Sequence, residues 1–170
     1  IYVTPFEHNS VLRPVEHLRQ TRGVEVRQIP FDHRHYTCQL DKLQVAFQSE
    51  APAMVCVTHA SNVCGVMPPV MDIARLAKAA NPHAIVIVDA AQTAGRVAIA
   101  AESKNVMIAF SAHKALFGFP GLGVLIVPPE VQLRAWREGG TGSVSEKLEH
   151  PTDLPMRLKA GTPNFLALAS

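Results

Sequence analysis

Short runs of apolar residues alternate along the chain with stretches in which apolar residues recur every three or four positions. The runs predict β-strands at Tyr2 to Thr4, Val24 to Ile29, Met54 to Thr58, Ile85 to Asp89, Val106 to Phe110 and Val124 to Val127. The recurring patterns predict helices at about Ser10 to Gly23, Gln39 to Phe47 and Pro69 to Ala80. Strands that alternate with helices are typical of βαβ units, so the sequence predicts an α/β fold with a mostly parallel sheet flanked by helices.

The segment Ile85-Val86-Ile87-Val88 is apolar at every position rather than at every second one. Such a run predicts a strand that is covered on both faces, as in the centre of a parallel sheet. The main breaks in the pattern are Pro128-Pro129 and the glycine-rich stretch from Gly139 to Ser143, and the second is long enough to be a functional loop. The sequence contains neither an internal repeat nor a linker, so we expect one domain.

The composition is that of a chain able to form a buried core, with 170 residues of which 48% are hydrophobic and 18% charged. There are 16 Lys and Arg residues against 14 Asp and Glu residues, and no run of like charge stands out. This balance argues against a nucleic-acid partner or a polybasic membrane patch, so we expect a small-molecule partner. The longest apolar stretches also fall far short of the roughly 18 residues of a membrane-spanning helix.

The three cysteines form no CxxC pair and are too few for a secreted disulfide framework, which favours a reducing compartment. We therefore expect a cytoplasmic protein. The chain opens on Ile1 without a methionine and closes at Ser170 within an apolar stretch, which leads us to expect a fragment of a longer protein. Any targeting peptide would then lie outside this sequence.

Polar residues follow four of the predicted strands at their carboxyl ends. They are Glu7-His8-Asn9, Thr58 to Asn62, Asp89 to Gln92, and Ser111 to Lys114. In open α/β sheets, ligands bind outside the carboxyl ends of the strands. Because parallel strands end at the same edge of a sheet, we expect these four groups to converge on one site.

Asp89 and Lys114 are the two residues of this set with the most distinctive surroundings. Asp89 ends an apolar run, where a carboxylate is costly to desolvate unless a cation or several donors meet it; the alternative is a carboxylate that caps the next helix from the loop after the strand. Lys114 precedes the apolar stretch from Ala115 to Pro120, a setting that favours a neutral amine. A neutral lysine attacks carbonyl groups and can form a Schiff base, although most single lysines are solvated surface residues.

An aldehyde cofactor on Lys114 would give Asp89 its cation. In pyridoxal 5'-phosphate this cation is the ring nitrogen, whose proton allows the ring to act as an electron sink. Other polar residues at the strand ends could hold such a cofactor: Ser111 and His113 at the phosphate, Asn62 and Gln92 at the phenolic oxygen, and His8 flat against the ring. Taken singly, residues of these types are more often found in turns, caps and loops.

Six motifs span the chain: Glu7-His8-Asn9-Ser10, His59 to Gly65, Asp89-Ala90-Ala91-Gln92, Ser111-Ala112-His113-Lys114, Gly139 to Ser143, and Arg157 to Asn164. In order and spacing they resemble the class V aminotransferase family of fold-type I pyridoxal-phosphate enzymes, and within it the cysteine desulfurases and selenocysteine lyases. The resemblance implies that residues 1–170 are the central part of a large cofactor-binding domain. It also implies one antiparallel strand, at Val124 to Val127.

The resemblance assigns a role to each candidate residue. Lys114 is the lysine that binds the cofactor's aldehyde, Asp89 is the partner of the ring nitrogen, His8 stacks on the ring, Asn62 and Gln92 contact the phenolic oxygen, and Ser111 and His113 contact the phosphate. Thr141 and Gly142 match a loop that in the family reaches the phosphate of the other subunit. This match implies a homodimer with shared active sites.

The reaction implied by the resemblance removes sulfur from L-cysteine and gives L-alanine and a protein-bound persulfide, which a sulfur-acceptor protein could take up. The family's phosphate-binding turn would precede Ile1. Its small C-terminal domain, with the substrate-carboxylate arginine and the acceptor cysteine, would follow Ser170, so we expect the isolated fragment to be inactive. Cys38, Cys56 and Cys64 do not match the acceptor, and we expect them to be small buried residues.

Other functions are open on the residues alone. His33-Arg34-His35 with Cys38 nearby suggests a zinc site, although no second ligand pair has a structural spacing. Ser111-x-x-Lys114 has the spacing of a serine hydrolase pair without its partner motifs. The glycines from Gly118 to Gly123 have the wrong order for a dinucleotide-binding fingerprint, so we expect a tight turn there. A selenocysteine lyase, an aminotransferase and a truncated relative without activity are further alternatives.

Overall fold

The computed structural model describes residues 1–99, 104–142 and 146–170. The strands in these ranges are β1 (Tyr2–Val3), β2 (Arg27–Gln28), β3 (Phe31–Asp32), β4 (Thr37–Cys38), β5 (Met54–Thr58), β6 (Ile85–Asp89), β7 (Val106–Ser111) and β8 (Gly123–Ile126). Six of these described strands form the central sheet in the order β2-β1-β5-β6-β7-β8, and β3 pairs with β4 alone. All neighbours in the central sheet are parallel except β7 and β8. The predicted α/β fold and its antiparallel strand are therefore confirmed.

The helices in the described ranges are α1 (Asn9–Arg22), α2 (Leu40–Ser49), α3 (Val70–Ala80) and α4 (Phe165–Leu168), with a 3₁₀ turn at Met156–Leu158. The predicted bounds of the first three agree closely with these. Gly23 ends α1 with a φ of 64°, a left-handed conformation that glycine adopts without strain. None of the helices in the described part of the chain has the length and apolar content needed to cross a bilayer.

The two faces of the sheet are covered unequally. The larger core lies between one face and the helices α2 and α3, and its buried side chains include Leu43, Phe47, Val57, Ile73 and Val88. On the opposite face, Val15 of α1 packs with Val3 and Cys56. Helix α1 thus covers this second face beside β1 and β5, and towards β7 and β8 the face borders a cavity.

The prediction that β6 is covered on both faces is wrong. Val86 and Val88 are buried, whereas Ile85 and Ile87 are only half-buried. The reason is that Ile87 lies on the face that α1 covers in part, where it borders the cavity.

The chain between α1 and α2 also differs from its prediction. Only Arg27–Gln28 of the predicted strand Val24 to Ile29 pairs in the sheet. The β3–β4 hairpin was not predicted, and it joins Phe31 to Cys38 and Asp32 to Thr37. Strands of two residues contain no repeating pattern, so their pairing depends on the surrounding tertiary structure rather than on local sequence.

Candidate functional site

The carboxyl ends of β1, β5, β6 and β7 meet at one edge of the sheet, as the sequence predicts. Thr58 lies opposite Asp89, and Asp89 lies opposite Ala109. The His59 N–H donates to the Asp89 carbonyl at 2.8 Å. The Ala90 N–H donates to the Ala109 carbonyl at the same distance. Backbone hydrogen bonds therefore hold together the segments that carry the polar residues.

A cavity of about 550 Å³ opens at this edge, between α1 and the sheet. Four predicted site residues line it: His8, Asp89, Ser111 and Lys114. Its walls along α1 and the sheet are mainly apolar and include Val11, Val15, Leu18, Met54, Ile87 and Val124. The structure thus gathers an amine, a carboxylate, a hydroxyl and an imidazole at the mouth of an apolar cleft.

Asp89 is half-buried at the end of β6. Its Oδ1 accepts the N–H of Ala91 at 2.9 Å, so one carboxylate oxygen caps the loop after the strand. No hydrogen bond or ion pair within the described residues engages Oδ2. The alternative of a helix cap is not observed, because the described residues 90–99 form turns and no helix. One oxygen of Asp89 orders this loop, and the other is available to a cationic group in the cavity.

His8 caps the N-terminus of α1. Its Nδ1 accepts the backbone N–H of Ser10 at 3.1 Å and lies 3.0 Å from the Ser10 hydroxyl oxygen. Because Nδ1 is an acceptor, the neutral ring carries its proton on Nε2. The cap fixes one edge of the imidazole, and the exposed side chain borders the cavity.

Lys114 lies in the turn after β7, with its N–H 3.4 Å from the carbonyl oxygen of Ser111. The side chain is exposed and borders the cavity. The apolar setting expected from the residues after Lys114 is not observed, because Leu116, Phe117 and Phe119 are themselves 46%, 76% and 64% exposed. The apolar surface near Lys114 comes instead from α1 and the sheet.

The remaining residues predicted to contact the cofactor within one subunit do not line this cavity. Asn62 lines a second cavity, of about 480 Å³, which shares His8 with the first. Gln92 and His113 are exposed and line neither of the two. Their assignment to the phenolic oxygen and the phosphate stays a prediction.

Thr141 and Gly142 line a further cavity, of about 320 Å³, together with Lys147. Neither residue borders the cavity of Lys114. Ser143, the last residue of the predicted glycine-rich loop, lies outside the described residues. The predicted role of this loop at the site of a second subunit stays a prediction.

The three cysteines differ in exposure. Cys56 lies on β5 and is buried, and burial raises the pKa of its thiol to about 11. Cys38 is half-buried, and burial raises its pKa as well. Cys64 is exposed, and a hydrogen bond from Ser61 lowers its pKa. The expectation of buried cysteines is therefore confirmed for Cys56 and wrong for Cys64, which lies in the turn after β5 rather than on a strand.

The alternative sites find little support in the described residues. Among them, no three His, Cys, Asp or Glu side chains form a group that could hold a metal ion. In the segment that suggested zinc, the Nδ1 of His35 lies 2.9 Å from Asp32 Oδ2. Ser111 ends a strand, whereas the serine of an SxxK pair begins a helix. Gly121 has a φ of 101° before β8, which is consistent with the expected tight turn.

Sequence reasoning gave no role to two residues near this edge. Glu7 is 6% exposed; burial raises its pKa, and the Asp89 carboxylate acts in the same direction. The guanidinium group of Arg96 lies over the ring of Phe117, and Phe117 belongs to the turn after Lys114. The sequence marks these two residues only weakly, because Glu7 is one of several polar residues after β1 and Arg96 lies in an irregular loop.

Comparison with known proteins gives a match to the family model described as aminotransferase class-V over residues 1–170. The chain is 34% identical over 173 residues to a probable cysteine desulfurase from Pyrococcus abyssi. This match covers 97% of the chain and 41% of that protein, so the chain spans about two fifths of the relative's length.

Solved structures share the fold. A NifS-like protein superposes with a TM-score of 0.79 at 29% identity, over 98% of this chain and 42% of that one. The cysteine desulfurase CsdA from Escherichia coli superposes with a TM-score of 0.81 at 26% identity, again over 98% of this chain and 42% of that one. These likenesses confirm the expected fold, that of the large domain of fold-type I pyridoxal-phosphate enzymes. With a family match that extends from the first residue to the last, the chain belongs to the aminotransferase class-V family.

Proposed function

We propose that the chain is the central part of the large domain of a pyridoxal-phosphate-dependent cysteine desulfurase, which converts L-cysteine to L-alanine and a protein-bound persulfide. The observation that carries the proposal is the cavity shared by His8, Asp89, Ser111 and Lys114. Similarity to proteins named cysteine desulfurase supports this reaction within the family. Because the chain spans about two fifths of such relatives, the activity is proposed for the whole protein.

The residues of the cavity fit pyridoxal phosphate by their chemistry. Lys114 offers an amine for the aldehyde, Asp89 offers Oδ2 as an acceptor for a protonated ring nitrogen, and the Ser111 hydroxyl can donate to a phosphate oxygen. The apolar walls suit the aromatic ring. When bound, the cofactor supplies an electron sink for the carbanion formed from the substrate.

Three side chains carry out the proposed chemistry. Lys114 would hold the cofactor's aldehyde and would move protons at its Nζ as general acid and base. Asp89 would keep the ring nitrogen protonated through Oδ2. His8 would contact the ring, and the hydrogen bond from the N–H of Ser10 to Nδ1 fixes one edge of its imidazole.

The other parts of the proposal follow the family resemblance. Asn62 and Gln92 would contact the phenolic oxygen, and His113 the phosphate. Thr141 and Gly142 would serve the site of a second subunit in a homodimer. The acceptor cysteine and the substrate-carboxylate arginine would belong to the whole protein outside this chain. A sulfur-acceptor protein and a cytoplasmic location complete the proposal.

Reductive trapping tests the central assignment. Borohydride makes the bond between a lysine and the cofactor's aldehyde permanent, so peptide mapping of the reduced full-length protein should find the cofactor on Lys114. The Lys114→Ala variant should take up no label. Lys78→Ala removes an exposed lysine on α3 and should be labelled as the wild type is. A label on any other lysine would refute the assignment.

A product assay separates the cofactor from the reaction. The full-length protein, loaded with pyridoxal phosphate, should release one alanine for each sulfur transferred from L-cysteine. Cofactor binding at Lys114 without alanine formation from cysteine would leave the cofactor site in place and exclude the proposed reaction. Parallel assays with selenocysteine and with an amino acid and keto acid pair would then identify the alternative activity.

A further inference from the structure

Glu7 is a buried carboxyl group that the proposed chemistry does not use. It lies in the turn between β1 and α1, directly before His8. Its Oε1 accepts two hydrogen bonds at 2.6 Å, one from the Thr4 hydroxyl and one from the backbone N–H of Thr58. The Thr4 Oγ1 in turn accepts the N–H of Phe6 at 3.3 Å. A single carboxyl oxygen therefore joins the His8 turn to β1 and to the end of β5.

The hydrogen bond from the Thr58 N–H to Glu7 takes the place of a backbone hydrogen bond between two strands. The pairing of β1 with β5 comprises only Tyr2 and Val3. Backbone N–H groups alternate in direction along a strand. The N–H of His59 donates to β6, and the N–H of Thr58 therefore faces the β1 side. A buried N–H needs an acceptor, and the side chain of Glu7 supplies it where β1 has already ended.

Glu7 acts as an acceptor through Oε1, and no ion pair among the described residues includes it. Oε2 is buried and has no hydrogen-bond partner among the described residues. Burial raises the pKa of Glu7, the charge of Asp89 adds to this effect, and the hydrogen bonds from Thr4 and Thr58 oppose it. The hydrogen bonds from the Thr4 hydroxyl and the Thr58 N–H both use a single oxygen, Oε1.

We propose that Glu7 is a positioning residue for His8. By accepting from Thr4 and Thr58 it fixes the turn after β1, so that the imidazole stands at the edge of the cavity that Asp89 also lines. Glu7 does not line the cavity of Lys114, so its effect on a bound cofactor is transmitted through His8. The inference rests on the proposed function, because His8 contacts a cofactor only if the cofactor occupies this cavity.

The dissociation constant of pyridoxal phosphate from the full-length protein is the first measurement. Glu7→Leu removes the acceptor of two buried hydrogen bonds and should weaken binding about tenfold. Glu7→Gln keeps the acceptor oxygen and should restore binding to within about twofold of the wild type. Thr4→Val removes the hydroxyl that donates to Glu7 and accepts from Phe6, leaves the bond from Thr58 to Glu7 in place, and should give an intermediate loss.

The His8→Ala background separates positioning from a general loss of stability. If Glu7 acts through His8, then Glu7→Leu and Thr4→Val weaken binding when His8 is present and have little further effect when it is absent. Leu43→Ala, buried in the core on the opposite face, is the control. It should lower the melting temperature and leave the dissociation constant unchanged. Should Glu7→Leu fail to fold, Thr4→Val provides the same comparison.

The outcomes distinguish this inference from the proposed function. Two outcomes would overturn the role of Glu7 and leave the cofactor site intact. One is an equal loss of affinity with and without His8. The other is unchanged binding by both Glu7→Leu and Thr4→Val. Unchanged binding in His8→Ala would also overturn it, since His8 would then have no contact to transmit. Failure of the wild-type protein to bind pyridoxal phosphate at Lys114 would overturn the proposed function and this inference together.

Discussion

The guanidinium carbon of Arg96 lies 4.4 Å from the centre of the Phe117 ring, and the Arg96 Nε–H donates to the carbonyl of Ala115 at 3.3 Å. Phe117 has a φ of 62°, a left-handed conformation that is strained for a residue with a bulky side chain. The Phe117 N–H donates to the carbonyl of Lys114 at 3.1 Å. One arginine therefore contacts the strained segment that follows the proposed cofactor-binding lysine.

Replacement of Arg96 tests whether this contact holds Lys114 in place. Arg96→Met removes a cation–π contact and a hydrogen bond, together worth about 1 to 2 kcal/mol, and should slow the covalent capture of pyridoxal phosphate by Lys114 about tenfold. Arg96→Lys keeps a charge near the ring and should give a smaller effect. Stopped-flow absorbance measures the rate. Arg75→Met, which removes an exposed arginine on α3, should leave it unchanged; equal rates for Arg75→Met and Arg96→Met would contradict the prediction.

Replacement of Asp89 by Asn should separate cofactor binding from turnover. The amide oxygen can still accept the N–H of Ala91, so the loop after β6 is retained. The amide nitrogen cannot accept from a protonated ring nitrogen, so turnover should fall by roughly 100-fold or more while the cofactor remains bound. Steady-state kinetics and cofactor absorbance check the two parts. Near-normal turnover would refute the role of Asp89, and Asp72→Asn on α3 serves as a surface control.

Mixed subunits test the proposed sharing of active sites. Gly142 has a φ of 76°, so Gly142→Val strains the loop without altering Thr141 itself. Neither this variant nor Lys114→Ala should be active alone. A heterodimer of the two contains one site with both an intact lysine and an intact loop, and should recover up to about half of the wild-type activity. A complete absence of recovery in purified heterodimers would indicate sites built within one chain.

The thiols should react with iodoacetamide in the order of their exposure. Cys64 is exposed and has a lowered pKa, so it should be alkylated first, with a midpoint below the ordinary thiol pKa. Cys38 should follow. Cys56 is buried, with a pKa of about 11, and should react only on unfolding. Mass spectrometry of timed samples gives the order, and early labelling of Cys56 would contradict the structure.

Sulfur transfer should not depend on these three thiols. Cys56 is buried, and Cys64 lies in a short turn closed by Gly65 with a φ of 71°, which gives it little freedom to reach a substrate. Joint replacement of Cys38, Cys56 and Cys64 by alanine should therefore leave most of the desulfurase activity of the full-length protein. A persulfide found on one of the three during turnover would show that the acceptor lies within this chain.

The sequence predicts some elements of the fold better than others, for a physical reason. The predicted bounds of β5 and β6 match the observed strands Met54–Thr58 and Ile85–Asp89, because the apolar content of a central strand is visible in its own residues. The exposure of each face depends on what packs against it. The half-exposed Ile87 could therefore not be predicted from an apolar run.

The same distinction applies to the candidate site. The topology of a parallel sheet places Asp89 and Ser111 at one edge, so their common cavity could be predicted from the order of the strands. The hydrogen bond between Glu7 and Thr58 joins residues 51 positions apart and depends on where β1 ends. Turns gave the least reliable predictions: Cys64 and Phe117 are exposed there although their residue types favour burial.

The unequal strand ladders of the sheet have a consequence for its dynamics. β6 is bonded along its length to β5 and β7, whereas β1 makes two-residue ladders with β2 and β5. Amide protons on β6 should thus exchange with deuterium only in large openings of the sheet. Asp89 stands on this slowly exchanging strand. The carboxylate side of the cleft should therefore be among the last parts of the sheet to open.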